Sequence, residues 1–114
     1  MKSDLLYLEH ILESIRRIEE YVSTGRDLFF TSTMAQDAVI RNLQTLAQST
    51  KRISRESQAL GSGIPWKQLA GFRNLVVHEY LRIDLEFVWR IVSVDLPALK
   101  QQAAQLRELL LRQS

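Results

Sequence analysis

Apolar residues in the first part of the chain recur at steps of three and four: Leu5, Leu8, Ile11, Leu12, Ile15, Ile18 and Val22. That is the period of an amphipathic helix with one face to bury. The spacing predicts a helix from Asp4 to Val22, with Ser3 or Asp4 capping its start and Gly25 ending it. A second helix is predicted to begin near Thr33, because Thr33 and Gln36 stand in the capping-box relation. It runs through Ala35, Ala38, Val39, Leu43, Leu46, Ala47 and Ile53 and fades around Leu60. The run Gly61-Ser62-Gly63-Ile64-Pro65 is the clearest break, and Pro65 suits the first position of a third helix. Asp84 signals the next start, followed by Leu85, Val88, Ile91 and Val92, with Phe87 and Trp89 widening the apolar surface. Asp95-Leu96-Pro97 then kinks this helix or restarts it, and Leu99, Ala103, Leu106 and Leu110 form the stripe of a last helix from Ala98 to Leu111.

No segment alternates in the manner of a strand, and no repeat or low-complexity tract interrupts the helical pattern. The pattern therefore predicts an all-α bundle of four to five helices with short connections, one domain spanning residues 1–114. Several of these helices are apolar over more than a narrow stripe, which favours a dimer that buries the excess.

Composition narrows the function classes. At 46% hydrophobic and 25% charged residues the chain has the balance of a soluble globular protein. The absence of cysteine rules out a disulfide framework or a thiolate metal site, and a reducing cytoplasm suits it. Asp4, Glu9 and Glu13 interrupt the apolar residues of the amino-terminal stretch, which therefore lacks the continuous apolar core of a signal peptide or spanning helix. A cytoplasmic location without a membrane partner is expected. With two histidines and no cysteine, neither a metal site nor a cofactor is expected.

A net charge of +2 is compatible with a polyanionic partner but is far from a dense basic stripe. Lys51 and Arg52 with Arg55 could attract RNA phosphates, although a solvated face accounts for them as well. His10 reads as a surface or interface residue, and Trp66 and Trp89 read as core or dimer anchors.

The third predicted helix carries the candidate chemistry, in GFRNLVVHEYLRID over residues 71–84. On an ideal helix Arg73 and Tyr80 fall within about 20° of each other, whereas His78 is rotated by about 140° from Arg73. One straight helix cannot close Arg73 and His78 into a pair, so a shared site needs a break or a second copy of the motif from a partner subunit. Histidine moves a proton near neutral pH, as activating a ribose 2′-hydroxyl or protonating a leaving 5′-oxygen requires. Arginine holds a phosphate through two parallel hydrogen bonds and stabilises transition-state charge. Tyr80 offers a hydroxyl that can bind, donate or accept a modifying group. Asn74 can orient a phosphate or bond to a neighbouring backbone group.

The stretch Arg73-Asn74-Leu75-Val76-Val77-His78-Glu79-Tyr80, with IPWKQLAGFRNLVVHEY around it, RIDLEFVW and DLPALK after it and DAVIRNLQTLAQSTKRIS on the second helix, resembles the HepT-like branch of the HEPN superfamily. The resemblance covers nearly the whole chain. It implies a helical HEPN domain that forms a homodimer or higher oligomer through the motif face, with two motifs in one groove. It also implies a toxin of a prokaryotic toxin-antitoxin system: a metal-independent endoribonuclease acting on cellular RNA, tRNA or mRNA. Carried over, Arg73 and His78 are catalytic and Asn74 is supporting. The implied antitoxin is a small nucleotidyltransferase that transfers AMP onto the motif tyrosine, here Tyr80, placing negative charge and bulk where RNA phosphate would sit. The alternatives are a non-catalytic helical subunit that binds a nucleotide or substrate for a nucleotidyltransferase, and a purely structural helical adaptor.

Overall fold

The structure, a computed structural model, describes residues 2–73 and 84–113. The order of elements is α1 (Lys2–Tyr21), α2 (Arg26–Thr31), α3 (Thr33–Arg52), α4 (Arg55–Leu60), α5 (Trp66–Gly71), α6 (Leu85–Arg90), a π-helical turn (Ile91–Asp95) and α7 (Leu96–Gln113). Among the described residues there is no strand, as the pattern predicts.

The core follows from the stripes. Leu8, Ile11, Ile15 and Ile18 of α1 meet Val39, Leu43, Leu46 and Ala47 of α3 and Leu99, Ala103, Leu106 and Leu110 of α7, all buried. Helix α1 lies between α3 and α7, antiparallel to both. Asp4 bonds to Ser54 just beyond the end of α3, while Lys100 reaches Glu19 and Arg107 reaches Glu9. Each element thus buries its apolar stripe against a neighbour and leaves its charged side to water.

Local chemistry explains where the elements depart from the predicted boundaries. Asp4 does not cap its own helix, which begins at Lys2. Its buried carboxylate instead accepts the backbone N–H and the hydroxyl of Ser54 and the hydroxyl of Ser57, joining α1 to the start of α4. The cap of α3 is Ser32, whose hydroxyl accepts from Ala35 N–H at 3.1 Å. Gln36 donates to Phe29 O at 3.0 Å rather than closing a capping box with Thr33. The second predicted helix is two: α3 ends at Arg52, buried Ile53 turns the chain in an extended conformation, and the Ser54 hydroxyl caps α4 by accepting from Ser57 N–H. Helix α2 is an addition to the sequence reading. It follows Gly25, whose φ of 105° lies in the left-handed region glycine tolerates best, and it buries Phe29 against Trp89.

Asp84 caps α6 as predicted, its carboxylate accepting from Phe87 N–H at 3.1 Å. Phe87, by contrast, is exposed and adds nothing to the core. The expected kink at Asp95-Leu96-Pro97 takes the form of one π-helical turn, after which Leu96 keeps helical dihedrals. Pro97 has no N–H for the carbonyl of Ser93 and its ring crowds that position, so widening the preceding turn keeps the helix running.

Candidate functional site

Helix α5 is only six residues long, so its position is set by packing rather than by its own hydrogen bonds. Leu69 and Phe72 are its anchors, both buried in the common core. Phe72 N–H bonds to Leu69 O at 3.1 Å and Arg73 N–H to Ala70 O at 3.4 Å, so the chain leaves the helix in a tight turn. Arg73, next to the buried Phe72, is exposed. The arginine is presented to solvent by a residue clamped in the core.

That geometry corrects one expectation. The third helix starts at Trp66, one residue after Pro65, and stops at Gly71, so Arg73 lies beyond it instead of inside a helix running through the motif. Gly71 and the turn bonds of Phe72 and Arg73 supply the physical reason. Asn74, His78 and Tyr80 lie outside the described residues.

Beside Phe72 a cleft of about 370 Å³ separates α5 from the π-helical turn and the start of α7. Leu69, Phe72, Leu96 and Leu99 give it apolar walls, while Gln68, Asp95 and Gln102 supply polar groups. The Gln102 amide donates to Gly63 O at 3.0 Å and fixes the loop before α5. On the far side of the motif, Asp84 begins α6, and Glu86 pairs with Arg26 of α2, which also stacks over the Phe30 ring at 4.4 Å. The two ends of the motif segment are thus each held by fixed helices.

The other residues noted in the sequence take structural places. Trp66 is partly buried, its indole N–H donating to Gln58 O and Gly61 O. Trp89 packs on Phe29 and Phe30. His10 stands edge-on to Tyr7, with ring centroids 6.1 Å apart, and lines a groove between α1 and α3. Among the described residues no helix is long and apolar enough to cross a membrane.

The described residues form an all-α scaffold with an exposed arginine just beyond the end of a short helix. Residues 11–106 match the family described as "Ribonuclease HepT-like". The chain belongs to the HepT-like ribonuclease family, and ribonuclease is accordingly its enzyme class. It is similar to a Methanocaldococcus jannaschii protein named "Gamma-glutamylcyclotransferase and putative RNase", with 39% identity over 95% of this chain and 50% of that protein. It also resembles the "Probable ribonuclease HepT" of Thermococcus cleftensis, at 34% identity over 90% of this chain and 94% of the relative. A third relative, a "Putative RNase" of Caldanaerobacter subterraneus, is 28% identical over 93% and 96% of the respective chains. The chain therefore spans half the length of the first of these relatives and nearly all of the other two. No solved structure matches it.

Proposed function

We propose that this chain is a single-domain toxin that cuts RNA by metal-independent transesterification. The observation that carries the reading is the exposed Arg73 held next to buried Phe72, inside the family match. Arg73 binds the scissile phosphate and offsets the charge that builds up in the transition state. His78 carries the proton: it accepts from the attacking ribose 2′-hydroxyl, and a second histidine returns one to the departing 5′-oxygen. In a homodimer the partner's copy of the motif supplies that second group, which is why the active form is read as two chains facing one groove. Asn74 supports the phosphate. Tyr80 is the regulatory position, where AMP transferred by a partner nucleotidyltransferase antitoxin adds a negative charge and closes the groove to RNA. A reducing cytoplasm, where cellular RNA is available, is the setting.

Purified, unmodified protein incubated with total cellular RNA in excess chelator, beside Arg73→Ala and His78→Ala, tests the reading. Cleavage that survives the chelator and is absent in both variants supports it. RNA left intact by a wild-type chain whose mass shows no added AMP would overturn it in favour of a binding subunit.

A further inference from the structure

The seam between α1 and α3 holds a row of side chains that the proposed chemistry does not use. On α1, Tyr7, His10, Arg17 and Tyr21 follow one another at steps of three, seven and four, so they share one face and span about 21 Å. From α3, Arg41 and Arg52 flank the same seam. Between them lies a groove of about 470 Å³, floored by buried Ser14 and Asn42.

The charge of the groove is positive and positioned. Its carboxylate is Glu13, which accepts from Arg16 at 2.7 and 2.9 Å and from Arg17 at 3.1 Å. These arginines hold the Glu13 carboxyl down to about 2, so it stays ionised and fixes the Arg17 fork through Nε alone. The two terminal nitrogens of Arg17 have no bond among the described residues. Arg41 has no ion pair among them either. Arg52 lies over the Tyr7 ring at 5.9 Å. By contrast, the amide of Asn42 and the hydroxyl of Thr45 donate back to their own helix, to Ala38 O and Arg41 O, and form a neutral floor. Guanidinium groups set among aromatic rings, with Tyr7 partly buried and His10 and Tyr21 exposed, suit a flexible anionic strand, whose phosphates pair with the cations while its bases stack on the exposed rings.

We infer that the α1–α3 seam is a binding track for the backbone of single-stranded RNA, with Arg17 and Arg41 on successive phosphates and Tyr21 stacking on a base. This deepens the ribonuclease reading and rests on it for the identity of the strand. Arg73 is not among the residues that line the groove, so the track holds RNA beyond the cleavage point.

The test is anisotropy of a fluorescein-labelled single-stranded RNA dodecamer. It is titrated with the full chain carrying His78→Ala, which leaves the RNA uncut, over a series of salt concentrations. Adding Arg17→Ala and Arg41→Ala together should weaken binding at least tenfold and lower the slope of log affinity against log salt by about 1.4, the value for two phosphate contacts to a single strand. Tyr21→Leu should weaken binding with the slope unchanged. Arg112→Ala, which removes one positive charge from the far end of α7, should do neither. The inference fails if the groove variants bind like the Arg112 variant, if the parent binds no RNA, or if sedimentation shows that the groove changes act on self-association and leave RNA affinity intact. Cleavage by the His78-containing chain is scored separately. RNA cutting with groove-independent binding would remove only the track, and groove-dependent binding without cutting would remove only the ribonuclease reading.

Discussion

The carboxylate of Asp4 accepts the hydroxyl of Ser57 at 2.6 Å, across 53 residues of sequence. Ser54 donates to the same carboxylate twice, through its backbone N–H at 2.9 Å and its hydroxyl at 2.7 Å. A single acid on α1 therefore fixes the corner at which α3 gives way to α4. Burial pushes its carboxyl up, but the bonds from Ser54 and Ser57 outweigh that and hold it below its ordinary value.

Replacing Asp4 by Ala removes the acceptor shared by the Ser54 N–H and the Ser54 and Ser57 hydroxyls, and the expected loss is about 2 kcal/mol. Urea unfolding at neutral pH measures it. The pH dependence has a definite sign, because a carboxyl with a depressed folded-state value stabilises the fold above its unfolded value. That contribution is lost as pH falls through the folded one. The gap in stability between wild type and Asp4→Ala should be constant above about pH 5 and narrow steadily below about pH 4. A gap that stayed constant down to pH 2 would show that Asp4 acts through packing alone.

Helix α3 is capped by Ser32 and not by Thr33. Ser32→Ala should cost about 1 kcal/mol, and Thr33→Ala, at an exposed position, within about 0.5 kcal/mol of nothing. Thermal unfolding of the pair separates the two registers, since the capping box centred on Thr33 demands the reverse order.

Gly61 closes α4 where two elements approach closely. A Cβ there would stand 3.0 Å from Leu106 Cδ2 and 3.1 Å from Ile64 Cδ1. Both neighbours are buried and have no room to yield. Gly61→Ala should therefore destabilise by about 1 kcal/mol, against the usual gain from replacing glycine. The denaturation midpoint reads the sign directly.

The arginine and its anchor should separate function from stability. Arg73→Ala removes an exposed side chain and should leave the melting temperature within about 2 °C of wild type, while cleavage falls by about a hundredfold or more. Phe72→Ala empties a buried site and should cost about 3 kcal/mol. Phe72→Leu, which keeps most of the volume, should recover much of the stability and the cleavage. Loss of fold in Arg73→Ala would mean that the arginine is structural.

Much of this was legible in the sequence because the long helices advertise themselves. Leu8, Ile11, Ile15 and Ile18 keep a period that only a half-buried helix explains, and Asp84 before Leu85 is a cap whose bond to Phe87 N–H is present. Helix α2 was not legible: Arg26–Thr31 is shorter than two turns, so it shows no period, and it is held by tertiary contacts, among them the burial of Phe29 against Trp89 and the pairing of Arg26 with Glu86. Asp4 and Ser32 were visible as polar residues near helix ends, but which end each serves depends on partners up to 53 residues away. The candidate site divides in the same way. Residue types named Arg73, but that it stands beyond α5 depends on Phe72 entering the core, which periodicity within so short a helix cannot reveal. The rings and guanidinium groups along α1 were individually unremarkable, because their alignment emerges only when α3 lies alongside.

One wall of the cleft beside Phe72 is built from Leu96 and Leu99 of α7, which follow Arg73 in the chain. During synthesis Arg73 therefore leaves the ribosome before the surface that seats its neighbour exists. A nascent chain has the arginine but not its support until α7 has emerged and packed against α1. The order of residues therefore delays the seating of Phe72, and with it the placing of Arg73, until the last helix has been made.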